Sequence, residues 1–335
     1  MTFLMRLAAA VTLAGTLATH LTGQSQPLVL KSVIPLPNVE GRIDHLAYDA
    51  ARGRLYVAAL GNNSVEVTDT GSGTHVTTLP GFHEPQGIVI VPDVNVISGI
   101  NLIAVANGNS GTLQLIDGQS YQAGRTVSIG GDADNVRYDP MAKRLFVAYE
   151  GGLAVVDPAS GQVVQRIAIS GHPESFQLER DGSRVFVNLP DSAQIVVADR
   201  KTAAVIARWP GTGRANYPMA LDEATHRLFV GYRRPATMVV YDTVTGKAVK
   251  PVPVVGDVDD MFYDAGRKRL YVIGGDGYVD VLQRDAGDGF KRTARIGTSN
   301  GARTGLFVPA QNRLYVAVPH RGTQFAEIRV YETRD

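Results

Sequence analysis

A short apolar pattern recurs about every 40 to 48 residues along the 335-residue chain, and this repeat limits the possible folds more than any other feature. Each close copy has an arginine, a leucine or valine, an aromatic residue and a valine, in that order. The six close copies lie at 54–58, 144–148, 184–188, 227–231, 269–273 and 313–317, and a looser seventh lies at 101–106. A fixed period of this length, with several short strands in each unit, is typical of a β-propeller.

Each unit contains four segments with strand patterns, which we label A to D in chain order. In the first unit they lie at 45–49, 54–60, 64–69 and 74–80. The seventh unit reaches Asp335 after its strand C, and residues 28–36 resemble the D strands of the other units. We therefore expect the N-terminal strand to supply the outer strand of the last blade, which closes the ring and removes the exposed sheet edges.

The fold class predicted from this repeat is all-β: a seven-bladed β-propeller with four-stranded antiparallel blades over residues 27–335. Its 44% hydrophobic content is enough for a substantial core. The predicted blades lie near 41–82, 83–130, 131–170, 171–212, 213–255, 256–300, and 301–335 plus 28–36.

Five of the predicted A–B turns begin with an acid and end with an arginine. In this position the two side chains can pair with each other or bond the turn backbone. We interpret them as hairpin stabilisation, because an exposed pair of this kind contributes under about 1 kcal/mol and carries no chemistry. The five are Asp49/Arg54, Asp139/Arg144, Glu179/Arg184, Asp222/Arg227 and Asp264/Arg269.

The first 23 residues have the pattern of a signal peptide. Arg6 precedes an apolar run from 7 to about 18, and small and polar residues follow. The run is short for a membrane span, although an uncleaved anchor is the alternative. After cleavage no segment is expected to cross a membrane, so the sequence predicts a periplasmic or secreted protein, and we expect a monomer.

Composition excludes several kinds of chemistry. The absence of cysteine excludes disulfides, thiolate catalysis, cysteine–zinc sites and a lipoprotein anchor. Lysine plus arginine total 33 against 32 acids, and no global charge favours nucleic acid as a partner. The expected partner is a small molecule or another exported protein.

The repeat resembles the YVTN-repeat β-propellers, the YncE-like family of exported bacterial proteins. The likeness rests on aromatic-valine pairs in strand B and on Asp-x-x-x-Gly turns between strands C and D. The resemblance implies the propeller fold and export, and it implies little about activity, since one fold hosts many functions. The pairs are Tyr56-Val57, Phe146-Val147, Phe186-Val187, Phe229-Val230, Tyr271-Val272 and Tyr315-Val316.

The segment before each strand A is expected at the mouth of the central channel, so we call these seven stretches the mouth segments. They hold eight acids where chance would place about three, together with three of the seven histidines. A polar, net acidic mouth is therefore predicted, and such a concave, charged site is the first place to look for a ligand. The segments are 41–45, 83–86, 131–135, 171–175, 214–217, 256–260 and 301–304.

The candidate ligand-binding residues all lie in or beside the mouth segments. They are Arg42, Asp44, His45, Glu84, Gln86, Asp134, His172, Glu174, Tyr217, Asp259 and Arg303. A cation site is one possibility, because carboxylate oxygens hold Ca²⁺ or another divalent cation, and carboxylates together with His45 and His172 could hold a transition-metal ion. The candidate metal ligands are Glu84, Asp132, Asp134, Asp257 and Asp259.

Three functions remain open, and binding of a small ligand, metal ion or protein partner is favoured over catalysis. The first alternative is a metal-dependent, lactonase-like hydrolase or lyase, with His45, His172 and Glu174 as catalytic candidates. Asp44 and His45 are neighbours on a strand and should point to opposite faces, so a partner for His45 is expected from another blade, such as Glu84 or Arg303. The second alternative is a structural propeller without ligand.

The loops between strands B and C lie on the same face as the mouth segments and are mostly small and polar. Their larger side chains suit contacts with a protein partner, in which arginine and aromatic residues are common anchors. These side chains are Tyr232, Arg233, Arg234, His320 and Phe325.

Overall fold

A computed structural model describes residues 26–95 and 100–335. The predicted signal peptide, residues 1–23, lies outside this part of the chain. The described residues form seven separate sheets, each with four antiparallel strands. The prediction of an all-β, seven-bladed propeller is therefore confirmed. Within the same residues, no helix has the length and hydropathy needed to cross a membrane.

The strands follow the predicted order A to D around the ring. Blades one to three contain β2 (Leu46–Asp49), β3 (Arg54–Ala59), β4 (Ser64–Asp69), β5 (Thr74–Pro80), β6 (Pro85–Asn95), β7 (Ile100–Asn107), β8 (Thr112–Asp117), β9 (Ala123–Ser128), β10 (Val136–Asp139), β11 (Arg144–Tyr149), β12 (Gly152–Asp157) and β13 (Gln162–Ala168). Blades four and five contain β14 (Phe176–Leu178), β15 (Arg184–Leu189), β16 (Gln194–Asp199), β17 (Val205–Pro210), β18 (Arg214–Asp222), β19 (Arg227–Arg234), β20 (Ala236–Asp242) and β21 (Val252–Pro253). Blades six and seven contain β22 (Val258–Asp264), β23 (Arg269–Gly274), β24 (Tyr278–Arg284), β25 (Phe290–Gly297), β26 (Gly305–Val308), β27 (Arg313–Val318), β28 (Glu327–Thr333) and β1 (Leu28–Pro35). Short 3₁₀ helices lie at Leu60–Asn62, Glu223–Thr225 and Pro309–Gln311.

The N-terminal strand closes the ring, as the sequence predicts. Strand β1 pairs antiparallel with β28, from Leu28 opposite Thr333 to Pro35 opposite Glu327. Each first strand also contacts the first strand of the next blade, and β26 contacts β2. The seven inner strands therefore form one closed ring around the channel.

The aromatic-valine pair of each repeat has a simple packing role. Tyr56 packs in a buried cluster with Ile88 of blade two, whereas Val57 packs with Ile328 of blade seven. Neighbouring strand residues point to opposite faces, so the aromatic residue contacts the next blade and the valine contacts the preceding blade. The same alternation holds for Phe146-Val147, Phe186-Val187, Phe229-Val230, Tyr271-Val272 and Tyr315-Val316.

The core is thus divided into seven clusters, one between each pair of neighbouring blades. Full burial of a large apolar side chain contributes about 1.5–3 kcal/mol. The repeat recurs because each blade can bury its two faces only against its neighbours.

The A–B turns use both of the expected arrangements. Glu179 and Arg184 pair directly, with 2.9 Å between Arg184 Nε and Glu179 Oε1. In blade one, Asp49 instead accepts a hydrogen bond from the Ala51 amide, and Arg54 pairs with Asp69. The arginine thus joins strand B to the end of strand C, which supports its assignment to hairpin stability.

Candidate functional site

A cavity of about 390 Å³ occupies the channel mouth, and all seven blades contribute to it. Backbone hydrogen bonds tie several of the mouth segments to the B–C loop of the same blade. For example, the Gly61 amide donates to the Arg42 carbonyl, and the Gly275 amide donates to the Asp257 carbonyl. A side chain at Gly61 would lie 2.7 Å from the Arg42 nitrogen, so this close approach requires glycine. The lining residues are Arg42, Leu60, Glu84, Gln86, Asp132, Asp134, His172, Glu174, Tyr217, Arg233, Asp259 and Arg303.

One side of the mouth, which we call the acidic half, contains Glu84, Asp132, Asp134 and Glu174 together with His172. The Nε2 atom of His172 lies 3.5 Å from Glu174 Oε1, 3.7 Å from Asp132 Oδ2 and 3.8 Å from Asp134 Oδ2. Gln86 donates a 2.8 Å hydrogen bond to Asp132 Oδ1. Residues from blades three and four therefore meet around one imidazole, and Gln86 of blade two bonds to one of them.

The carboxylates of the acidic half stabilise the protonated imidazole. The nearby carboxylates of Asp134 and Glu174 outweigh partial burial and raise the pKa of His172 to about 10. Burial raises the pKa of Asp134, and the charge of Glu174 raises it further, whereas His172 and His45 act in the opposite direction. Such shifts mark groups that are held in an energetically unusual environment, as is common at binding and catalytic sites.

The other side, which we call the arginine half, contains Arg42, Arg233 and Arg303 with Asp44, Asp257 and Asp259. Arg233 Nη2 donates to Asp259 Oδ1 at 2.6 Å, and Arg303 Nη1 lies 3.1 Å from Asp257 Oδ2. Arg42 Nη2 donates to Asp44 Oδ2 at 2.7 Å. Each guanidinium in this half is therefore already bound to a carboxylate.

Two further features distinguish the arginine half. The guanidinium carbon of Arg233 lies 3.6 Å from the centre of the Tyr217 ring, which is a cation–π contact. Burial, together with the charge of Asp44, raises the pKa of Asp259 to about 7, although Arg233, Arg42 and Arg303 oppose this shift. Asp259 can therefore exchange a proton near neutral pH.

Below the mouth, the channel narrows and then opens into a second cavity of about 350 Å³. Asp44 and His45 line the narrow part. His45 Nδ1 lies 3.4 Å from Asp260 Oδ2, whereas its Nε2 lies 3.8 Å from Asp44 Oδ1, which is too long for a hydrogen bond. Burial opposes protonation of His45, but Asp260, Asp44 and Asp134 outweigh it and raise its pKa to about 10.

The structure places the predicted ligand-binding residues at two levels of the channel. Asp44 and His45 lie in the narrow part, and the other nine line the mouth cavity: Arg42, Glu84, Gln86, Asp134, His172, Glu174, Tyr217, Asp259 and Arg303. Of the catalytic candidates, His172 and Glu174 lie together, and His45 is below them. The residue that faces His45 comes from another blade, as expected, but it is Asp260 of blade six rather than Glu84 or Arg303.

The candidate metal ligands are divided between the two halves. Asp132 and Asp134 lie near His172, whereas Asp257 and Asp259 face Arg233 and Arg303. Across residues 26–95 and 100–335, one group of three side chains has its ligand atoms within 4.8 Å of one another: Asp134, His172 and Glu174. His172 and Glu174 thus join Asp134 in this group, and neither is one of the five carboxylates named above as candidate metal ligands.

Arg233 and Asp260 were not among the ligand-binding residues chosen from the sequence. Arg233 was assigned to the rim of the B–C loops, but it lines the cavity. Its position at the end of strand B, next to a mouth segment, is the sequence signal that could have found it. Asp260 lies in a mouth segment, but no sequence signal shows that it faces His45.

Comparisons with known proteins support the fold. No protein-family model matches the sequence, and no match was found among curated proteins. Among solved structures, a chain from the crystal structure of a mitotic checkpoint complex is similar, with a TM-score of 0.76 and 13% identity over 99% of both chains. A chain of Kuenenia stuttgartiensis hydrazine synthase has a TM-score of 0.74 and 16% identity over 87% of this chain and 97% of its own. At such identities, the similarity shows the propeller fold alone.

Proposed function

We propose that this protein is an exported ligand-binding β-propeller of the YVTN-repeat type, and that it binds a small cation at the channel mouth. The observation that carries this proposal is the different charge balance of the two halves. In the acidic half, four carboxylates, Glu84, Asp132, Asp134 and Glu174, line the cavity with His172 as their one cationic neighbour among the residues of that half. In the arginine half, three guanidinium groups face three aspartates.

This imbalance favours a positively charged ligand over an anion. An anion approaching the arginine half must displace Asp44, Asp257 or Asp259 from guanidinium groups that they already bind. A cation approaching the acidic half instead neutralises part of the negative charge of its carboxylates, which is larger than the positive charge of His172. The low-dielectric walls of a narrow mouth strengthen this attraction.

The size of the mouth sets the size of the ligand. A cavity of about 390 Å³ is at the lower end of the range for small-molecule sites. Its polar lining suits a compact, strongly hydrated group, such as an organic ammonium compound or a metal ion. A polymer would have to bind mainly outside this cavity.

Calorimetric titration of the purified chain, without a histidine tag, tests the proposal. The probes are small ammonium compounds, divalent metal ions and, for comparison, small carboxylic acids. We expect at least one cation to bind and Glu174→Gln to weaken it at least about tenfold. The exposed Glu150→Gln, which removes the same charge outside the cavity, is the matched control. Binding of the acids alone, or of no probe at all, would contradict the proposal.

Export and family membership rest on the N-terminal pattern and on the aromatic-valine pairs. Fractionation of cells that produce the chain with and without residues 1–23 tests export. We expect the complete chain in the periplasm or medium and the shortened chain inside the cell. The same location for both chains would rule out export directed by these residues.

Catalysis is a second candidate, and the position of Asp259 in the lining of the mouth cavity, where burial raises its pKa to about 7, favours it. A carboxyl group with a pKa of about 7 beside a polar cavity can donate and accept protons, as a hydrolase or lyase requires. A screen of lactones and related small substrates tests this candidate. We expect Asp259→Asn to abolish any turnover while the melting temperature stays within a few degrees. An unchanged rate would remove Asp259 as the acid or base.

A further inference from the structure

We infer that Asp134, His172 and Glu174 form a site for one divalent transition-metal ion, which deepens the proposed function by naming the cation. The three residues come from two blades, and their ligand atoms lie within 4.8 Å of one another. They face the mouth cavity, so solvent or a further ligand can reach an ion held between them.

The distances around His172 fit shared coordination better than direct hydrogen bonding. Good nitrogen–oxygen hydrogen bonds are about 2.7–3.2 Å long. Two ligands about 2.1 Å from a tetrahedral ion are about 3.4 Å apart. The Nε2 atom of His172 lies 3.5 Å from Glu174 Oε1 and 3.8 Å from Asp134 Oδ2. Small movements of these side chains would place all three around one ion.

The donor set indicates the class of ion. Ca²⁺ and Mg²⁺ prefer oxygen ligands alone, whereas an imidazole favours zinc and other transition metals. Three protein ligands with an open position is the arrangement of a zinc site that remains accessible from solvent. The site is therefore expected to prefer Zn²⁺ or Co²⁺ over Ca²⁺.

The backbone holds two of the ligands in place before an ion arrives. The Asp134 amide donates to the Ala148 carbonyl at 2.9 Å, and the Glu174 amide donates to the Asn188 carbonyl at 3.1 Å. These bonds tie each ligand to strand B of its own blade. An ion bound here would join blades three and four.

A buried acceptor beside the cluster is a second, independent observation that points to a ligand. Asn135 is only 2% exposed, and its Oδ1 atom has no hydrogen-bond partner within the part of the chain that the structure describes. Asn135 lines the narrow part of the channel together with Asp134 and Glu174. Buried acceptors nearly always receive a hydrogen bond, and a water bound to the ion would be a suitable donor.

Calorimetric titration of the metal-stripped, untagged chain with Zn²⁺ tests the inference, and the absorption spectrum of bound Co²⁺ reports its ligands. We expect one ion per chain, the visible bands of low-coordinate Co²⁺, and a rise in melting temperature. His172→Ala, Asp134→Asn and Glu174→Gln should each weaken Zn²⁺ binding at least about tenfold. Glu150→Gln and Asp276→Asn remove exposed charges outside the mouth cavity, and each should change the affinity less than about threefold.

The outcomes separate this inference from the proposed function. Binding of an ammonium compound or of Ca²⁺, with no Zn²⁺ bound at this site, would overturn the metal site and leave a cation-binding mouth in place. Zn²⁺ binding that survives all three cluster substitutions would also overturn it. If no cation of any kind binds, both the metal site and the proposed function fail.

Discussion

Two mouth segments have nearly the same sequence but different surroundings. Residues 131–135 read GDADN and residues 256–260 read GDVDD. Asp132 and Asp257 both have a positive φ, 49° and 50°. Nevertheless, the first pair of aspartates lies near His172 and the second pair lies near Arg233 and Arg303.

The difference comes from neighbouring blades and not from the segments themselves. His172 follows in blade four, whereas Arg233 and Arg303 come from blades five and seven. A histidine can lose its proton or exchange it for a metal ion, but an arginine stays charged and already holds its aspartates. The same acidic motif therefore lies beside a titratable imidazole in one half, where we propose the cation site, and takes part in an ion-pair network in the other.

Among the substitutions that test the difference between the two halves, Arg233→Ala is expected to have the largest effect on stability. Arg233 binds Asp257 and Asp259, donates to the Val258 carbonyl and lies over Tyr217. Its loss leaves Asp259 without its strongest ionic partner, and removing one member of such a partly buried pair should cost about 2 kcal/mol, less than for a fully buried pair. We expect a loss of this size in the free energy of unfolding, measured by urea denaturation at pH 8.

Arg234→Ala is the matched control, because Arg234 is the exposed neighbour on the same strand. It should change the free energy of unfolding by less than about 0.5 kcal/mol. Equal losses in the two variants would show that the arginine half is not held by its ion pairs.

The second effect concerns pH and His45, which lies below both halves. Its pKa is raised from 6.5 to about 10, so the folded protein binds a proton more tightly than the unfolded chain. This contribution is fully present below pH 6.5 and is lost as the pH rises toward 10. The melting temperature should fall across this range, and it should fall less steeply in His45→Gln. Parallel curves for the two proteins would contradict the role of Asp260 and Asp44 in holding the proton.

A third substitution, His172→Arg, makes the acidic half resemble the arginine half. A permanent cation would then occupy the place of the titratable one and bind the same carboxylates. We expect cation affinity to fall about tenfold, equivalent to about 1.4 kcal/mol. Calorimetric titration measures this loss, and an affinity equal to the unmodified protein would show that the two halves do not differ in the way described.

The smallest effects are expected from asparagine at the two equivalent aspartates. Asp257→Asn weakens bonds to two arginines and should cost about 1 kcal/mol in the free energy of unfolding. Asp132→Asn removes an exposed charge beside Asp134 and Glu174, and it should be neutral within about 0.5 kcal/mol or slightly stabilising. Asparagine tolerates the positive φ at both positions, so backbone strain does not confuse the comparison. A larger loss of stability in Asp132→Asn than in Asp257→Asn would contradict the difference between the two halves.

Much of the fold could be predicted because its signal is local and repeated. Strand β3 begins at Arg54 and β27 begins at Arg313, the first residues of their repeats. The aromatic-valine alternation places each strand between two blades, and the missing seventh D strand implies the closure by β1. Strand β21 has only two residues, Val252 and Pro253, and the sequence there has a correspondingly poor strand pattern.

The site could be predicted only as a list of residues. Propeller topology places the mouth segments together, so nine of the eleven candidates line one cavity. It does not show which of them face each other, because the partners are far apart in sequence. Arg233 was missed for the same reason, although its loop was recognised.

The sequence by itself determined the number of blades, the position of each strand B and the polar character of the mouth, because these follow from a local pattern that each unit repeats. Only the tertiary structure decided that Asp132 and Asp134 meet a histidine while Asp257 and Asp259 meet arginines. The charge and pKa of a side chain depend on groups a few ångströms away in space. In a closed ring, those groups belong to other blades.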